Sequence, residues 1–337
     1  MPRSGNYGYA VARIRAMEPL LLDAGFIQRM LEADGLAGAL KVLGETCYGK
    51  ALSGNAAQER YDAALEAELL STFMELRAFV PDKDLVDLLR IQYDFHNVKV
   101  LLKSSFLAKS GGRKRWELMT GLGTIQADGL IVSIESEDYN LLPWGLSALI
   151  PAALAIWEQT RDIVEVEKVL DGGLFAAMLK IAEDLEMPGI LAWVRARIDS
   201  ENIRNLLRLK RFGMDAQKAS SFLHQGGAVS AGTLAQLIAE PFEGWGRAIA
   251  YTDIGAAVSG VHDGGDFDTL IVSLEKALDD YCRDVLALAR YSQDAPENVL
   301  AYLWGKEMEI KNIRTVLVSK GSPAGRDATE RMLRNGY

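Results

Sequence analysis

The sequence DFHNVKVLL at residues 94–102 returns as DSENIRNLL at 199–207 and as EIKNIRTVL at 309–317. Each copy carries an acidic residue, an asparagine three positions later, a base two positions after that, and apolar residues at helical spacing. A proline precedes each copy, and the asparagines lie 105 and 110 residues apart. These features predict three related helical units. The asparagines are Asn97, Asn202 and Asn312, and the prolines are Pro81, Pro188 and Pro296.

Helical periodicity dominates the rest of the chain as well, most clearly at 57–80, 150–185, 269–292 and 296–319. We therefore predict an all-α fold of three units at residues 1–110, 111–217 and 218–337, with boundaries good to about ten residues. The sequence leaves open whether the N-terminal residues pack on the third unit. One short strand is predicted from GLIVSIES at 129–136. A second internal match, TCYGKALSG at 46–54 and TDIGAAVSG at 252–260, supports the repeat.

The asparagines of the repeat demand a structural reason, because asparagine is disfavoured inside helices. Its amide can donate and accept at once and so can tie a passing backbone to the helix. The acidic residue lies about one turn away on the same face. We expect both to lock interhelical junctions, although direct contact with a partner is the alternative. We call them the motif acids (Asp94, Asp199 and Glu309) and the motif asparagines (Asn97, Asn202 and Asn312).

The bases of the repeat point to another side of each helix, and we expect them to face solvent or a partner. We call them the motif bases (Lys99, Arg204 and Arg314). Further bases follow each copy, so the repeat helices end in positive charge. Such charge complements a helix C-terminus, or it forms three basic zones suited to an acidic partner or a membrane surface.

Composition excludes several classes of protein. The 337 residues carry a net charge of −9, which disfavours a nucleic-acid binder. Two cysteines and three isolated histidines give neither a disulfide framework nor a zinc motif, and no nucleotide-binding glycine loop follows a strand. We expect no catalytic residue, cofactor or metal. The alternative is a magnesium-dependent helical enzyme that uses Asp279 and Asp280, which would need a second acidic cluster.

One stretch, from Tyr139 to Trp157, has nineteen residues without a charge. Its two prolines and the charges that follow favour a loop and a buried helix over a membrane span. A further hypothesis makes the stretch an apolar contact surface. On that hypothesis, Leu146→Glu weakens assembly without unfolding the chain.

The chain resembles the C subunits of V-type and A-type rotary ATPases, the counterparts of the eukaryotic d subunit. The resemblance rests on YGYAVARIRAME at 7–18, YDFHNVK at 93–99, DSENIR at 199–204, and EIKNIRTVL at 309–317 followed by Lys320-Gly321. It implies three similar helical domains in a pseudo-threefold funnel. It also implies a non-catalytic subunit at the cytoplasmic face of the membrane, peripheral and without a span of its own. Its partners would be the D and F subunits of the shaft and the membrane proteolipid ring. The alternative function is an all-helical scaffold for soluble partners.

Overall fold

The computed structural model describes residues 6–52, 57–262, 266–321 and 325–336, and the regular secondary structure in these ranges is entirely helical. The α-helices are α1 Gly8–Met17, α2 Ala24–Glu32, α3 Gly35–Leu43, α4 Gly49–Leu52, α5 Ala57–Phe79, α6 Lys83–Lys109, α7 Ala127–Glu135, α8 Leu146–Thr160, α9 Ile163–Asp184, α10 Pro188–Arg211, α11 Ala216–Ser220, α12 Ala231–Leu237, α13 Phe242–Ala248, α14 Asp253–Ser259, α15 Phe267–Ala287, α16 Glu297–Lys320 and α17 Arg326–Met332. Glu18–Leu20 and Trp116–Leu118 form single 3₁₀ turns. The predicted all-α class is therefore confirmed.

The repeated pattern lies on three long helices, α6, α10 and α16, which we call the asparagine helices. They contain 27, 24 and 24 residues. The prolines mark where they begin: Pro188 is the first residue of α10 and Pro296 is the N-cap of α16. Proline suits this position because the first helical N–H groups have no intrahelical acceptor. Each asparagine helix follows another long helix, α5, α9 or α15, and packs against it.

The buried apolar residues of the described ranges form three clusters. The largest joins α1 to α5 with the N-terminal halves of α6 and α10 and with α16, and in it Trp193 meets Trp304 edge to face at 5.6 Å. A second cluster covers the C-terminal half of α10 with α11 to α15. The third covers the C-terminal half of α6 with α7, α8 and α9. The helices α2, α3 and α5, from the start of the chain, pack on α16.

The strand predicted at 129–136 is wrong, because this segment lies in helix α7. Leu130, Ile131 and Ile134 lie at positions i, i+1 and i+4, which places them on one side of a helix, and these three side chains pack into the third cluster. Tertiary contact with α6 thus overrides the β-propensity of a short apolar run.

The charge-free stretch at 139–157 forms a turn and then α8, which begins after Gly145 in the left-handed region. Leu146, Ile150 and Ala153 are buried in the third cluster, and Trp157 stacks on Phe106 at 4.2 Å. Leu146 is therefore core, and its burial contradicts the assumption that it lies on a contact surface where a charge would spare the fold. Within the described ranges, every helix is too short or too polar to cross a bilayer.

The second internal match falls on α4 and α14, although Ser53 and Gly54 lie outside the described residues. Both segments bring a glycine against a preceding carbonyl group. A methyl group on Gly49 would lie 2.1 Å from the oxygen of Gly44, and one on Gly255 would lie 2.5 Å from that of Ile249. The shared glycine thus serves the same close backbone approach in both segments.

Candidate functional site: the asparagine helices

Each motif asparagine clamps the backbone N–H and carbonyl of one residue in the segment that follows its helix. Asn97 donates from Nδ2 to the carbonyl of Thr120 and accepts from the Thr120 N–H, both at 2.9 Å. Asn202 binds His224 in the same way, at 2.8 Å and 2.7 Å. Because only backbone atoms of the clamped residue take part, its side chain is free to vary.

The third clamp repeats this geometry. Asn312 donates to the carbonyl of Arg334 at 3.0 Å and accepts from its N–H at 2.8 Å. The clamped residue follows its asparagine by 23, 22 and 22 positions in the three copies. All three asparagines are buried, so loss of either hydrogen bond would leave a polar group unsatisfied.

The motif acid of the first copy holds the same loop a few residues further on. Asp94 accepts hydrogen bonds from the Thr124 hydroxyl at 2.6 Å and from the Ile125 N–H at 2.9 Å. Gly123 makes room for the carboxylate, since a methyl group there would lie 2.2 Å from it. Burial raises the pKa of Asp94, against the lowering effect of these hydrogen bonds.

Asp199 holds the corresponding loop of the second copy. Its carboxylate accepts from the N–H groups of Ala228 at 2.8 Å and Val229 at 3.2 Å. A methyl group on Gly227 would lie 2.0 Å from this carboxylate. Burial raises the pKa of Asp199 to about 6. Acid, amide and loop glycine thus recur as one unit.

In the third copy, the motif acid binds a segment from the other end of the chain. Glu309 accepts from the Leu22 N–H at 2.5 Å and from the Tyr48 hydroxyl at 2.6 Å, and pairs with Lys306 at 2.8 Å. Leu22 precedes Asp23, whose side chain caps α2. Val229 likewise precedes Ser230, which caps α12. The N-terminal segment therefore meets α16 as the 228–237 segment meets α10.

Each motif base forms an ion pair with an aspartate on the long helix of the next repeat. Arg204 is only 12% exposed and does not face solvent, contrary to expectation, whereas Arg314 remains 49% exposed. A basic side chain on each asparagine helix thus ties two repeats together. The pairs are Lys99–Asp171 at 2.7 Å, Arg204–Asp279 at 3.2 Å and Arg314–Asp62 at 2.8 Å.

Many of the later bases on these helices are paired within the chain too. Lys103 pairs with Glu167, and Arg208 pairs with Glu275 at 2.6 Å. Lys320 donates to the last carbonyl groups of α2, those of Leu31 and Ala33, both at 2.6 Å. Internal pairing and helix capping therefore account for much of the basic character that suggested partner-binding zones.

Asp279 is a buried carboxylate in contact with three cations. Besides Arg204 it meets Lys311 at 2.6 Å and Arg334 at 2.9 Å. Burial alone would raise the pKa of Asp279, but Lys311 and Arg204 lower it below its ordinary value. In the described ranges, no group of His, Cys, Asp and Glu side chains is placed to hold a metal ion. Asp279 is thus the partner of three cations. The second acidic group in the sequence that could face it is the loop at 263–268, and residues 263–265 of this loop lie outside the described ranges.

One feature of the site is not predicted from the sequence: a partly open cavity of about 470 Å³ beside α5, α6 and α16. Glu307 lies on its wall and accepts hydrogen bonds from Gln92 and Tyr93, both at 3.0 Å. Gln92, Arg197 and Glu307 each stand five positions before a motif asparagine. The sequence feature that could have indicated this site is the polar residue at the same position of all three asparagine helices.

Comparison with known proteins gives a match over nearly the whole chain. The family model described as "ATP synthase (C/AC39) subunit" matches residues 10–332. The C subunit of the V-type sodium ATPase of Enterococcus hirae is 23% identical over 324 residues, 96% of this chain and 97% of the relative. The C subunit of the A-type ATP synthase of Methanocaldococcus jannaschii is 23% identical over 93% of this chain and 82% of the relative. The C subunit of the V-type ATP synthase of Thermus thermophilus is 27% identical over 62% and 65%.

Proposed function

Because this chain belongs to the ATP synthase (C/AC39) subunit family, we propose that it is the central-stalk subunit of a V/A-type rotary ATPase. In this role it links the rotating shaft, made of the D and F subunits, to the membrane proteolipid ring. It thereby couples ATP hydrolysis or synthesis to ion transport. The observation that carries the proposal is the family match over residues 10–332. The proposed place is the cytoplasmic face of the membrane, where the chain would be a peripheral subunit and the counterpart of the eukaryotic d subunit.

The proposed architecture is a funnel of three helical units around a pseudo-threefold axis, at about residues 1–110, 111–217 and 218–337. Three observations support it: the similar spacing of the asparagine clamps, the ion pair from each asparagine helix to the next repeat, and the packing of α2, α3 and α5 on α16. The last of these joins the two ends of the chain. A rotor part transmits torque only if its units resist twisting against one another, and such joints oppose that motion.

We propose a structural role for the motif residues and no catalytic one. The motif acids and asparagines are occupied by backbone groups, and the motif bases by carboxylates of neighbouring helices. Such side chains position helices, and the chemistry of the complex would belong to other subunits.

The test is to remove the subunit from its own host and to measure two activities of isolated membranes and extracts. We expect ATP hydrolysis by the released catalytic head to survive, whereas ATP-driven ion transport by the membranes is lost. Restoring the chain from a plasmid should restore transport.

A second measurement identifies the partners directly. Affinity isolation of the tagged chain from gently solubilised membranes should recover head, shaft and proteolipid subunits, with a strain that carries the tag alone as the control. Recovery of soluble proteins only, together with unchanged ion transport in the deletion strain, would reject the rotor role in favour of a scaffold.

A further inference from the structure

The carboxylate of Glu307 is satisfied on one oxygen only. Gln92 and Tyr93 both donate to Oε1. In the described part of the chain, Oε2 accepts no hydrogen bond and the carboxylate has no ion-pair partner within 4 Å. Oε2 is accessible from the cavity that Glu307 lines. Glu307 thus differs from Asp279 and Glu309, which are also enclosed but have cations in contact.

Two of the three cations near Glu307 pair with other carboxylates. Lys311 on α16 pairs with Asp279 at 2.6 Å, and Arg314 pairs with Asp62 at 2.8 Å. The third, Arg197 on α10, acts on Glu307 electrostatically but does not pair with it: its guanidinium lies over the ring of Trp304, 4.6 Å from the centroid, and its buried Nε makes no hydrogen bond within the described residues.

Three further titratable groups lie near this carboxylate. Tyr93 and His96 on α6 and Glu66 on α5 share the cavity wall. Glu66 is occupied by the hydroxyl of Thr120 and the N–H of Gly121. Tyr93 already donates its proton to Glu307, and His96 contacts the Leu118 carbonyl at 3.0 Å.

Burial makes the charged form of Glu307 costly. It raises the pKa of Glu307 to about 7, although Arg197 and the donors Tyr93 and Gln92 oppose the shift. A cation that entered the cavity would stabilise the carboxylate and displace the proton. A charged pair in such a partly desolvated place is directional and selective for its partner.

We propose that the Glu307 carboxylate is the docking point for a lysine or arginine side chain of the rotor shaft. This inference rests on the proposed function, in which the shaft binds this chain. Its own basis is the accessible oxygen, the cavity large enough for a side chain, and the pairing of Lys311 and Arg314 with other carboxylates. Shaft docking is then linked to the protonation of one group.

The experiment measures binding of the full-length chain to the purified D–F shaft complex of the same organism, by calorimetry at pH 6, 7 and 8 and constant ionic strength. The wild type should bind about tenfold more tightly at pH 8 than at pH 6, because Glu307 must lose its proton to pair with a cation. Glu307→Gln should weaken binding at pH 8 by about tenfold or more and remove this part of the pH dependence.

The matched control is Glu183→Gln, which removes one negative charge from an exposed position on α9. It should bind like the wild type at every pH. Circular dichroism and thermal unfolding check that Glu307→Gln is folded, and Glu307→Asp, which keeps the charge and shortens the side chain, serves as a second variant with weakened binding and a retained pH slope.

The outcomes separate the two proposals. If the wild type binds no shaft at any pH, the proposed function fails. If the wild type binds and Glu307→Gln binds equally well with the same pH slope, the docking inference is overturned while the proposed function stands.

Discussion

The guanidinium of Arg314 on α16 lies 2.8 Å from the carboxylate of Asp62 on α5, although the two residues are 252 positions apart. Lys99 and Arg204 make the same kind of contact with the next long helix along the chain. The Arg314 pair is thus the member of the set that joins the last repeat to the first. The three pairs share a geometry but differ greatly in their access to water.

That difference predicts unequal effects on stability. Arg204 and Asp279 are 12% and 3% exposed, whereas Arg314 and Asp62 are 49% and 62% exposed. Arg204→Met should lower the free energy of unfolding by about 3 kcal/mol, since it removes a cation from a buried carboxylate. Arg314→Met should cost at most about 1 kcal/mol, because water screens that pair. Urea unfolding of both variants checks this order, and equal losses would contradict it.

The asparagine clamps predict a loss at each of three positions. Asn97→Ala, Asn202→Ala and Asn312→Ala should each lower the free energy of unfolding by about 1–3 kcal/mol, because each leaves a buried peptide N–H and carbonyl unpaired. Asn205→Ala is the matched control: Asn205 lies on the same helix as Asn202, and its amide makes no hydrogen bond within the described ranges. Unchanged stability in all three clamp variants would show that the junctions are dispensable.

Much of this arrangement follows from the sequence, and the rest does not, for a physical reason. The spacing of Asn97, Asn202 and Asn312 predicts three equivalent helices because a costly polar residue recurs at one register. The clamped residues share no side-chain type, since only their peptide groups bind.

Long-range partners are hidden from the sequence in the same way. Glu309 accepts a hydrogen bond from the N–H of Leu22, 287 positions away, and no local sequence pattern predicts such a contact. The outward direction predicted for Arg204 is wrong because an acidic helix face from the next repeat covers it. Glu307 is not predicted from the sequence as a site residue, because its role depends on a cavity that forms only when the helices pack together.

The burial of Asp199 predicts a pH effect on stability. Its pKa is raised to about 6 in the folded chain, above the value of about 4 expected after unfolding. Between these values the folded state binds more protons than the unfolded state, so stability falls as pH rises. The stabilisation of the wild type relative to Asp199→Asn should therefore decrease by up to about 3 kcal/mol between pH 4 and pH 7. Chemical unfolding across this range measures the difference, and an increase would reverse the sign of the shift.

The charge-free stretch before and within α8 contains both buried and exposed apolar side chains, and two leucines represent these two environments. Leu146 is fully enclosed, whereas Leu141 is 94% exposed. Leu146→Glu should unfold the α7–α9 region, because a carboxylate would enter the apolar cluster without a partner. Leu141→Glu should unfold at the same temperature as the wild type.

The same pair of variants tests the contact-surface hypothesis at the residue where it still applies. If Leu141 meets another subunit, Leu141→Glu should reduce recovery of the chain with the membrane complex while its unfolding temperature stays that of the wild type. Leu141→Ser, which removes the apolar side chain without adding charge, distinguishes lost apolar contact from electrostatic repulsion. Full recovery of both variants with the complex would place this leucine outside the interface, and the apolar character of the stretch would then serve the packing of α8 alone.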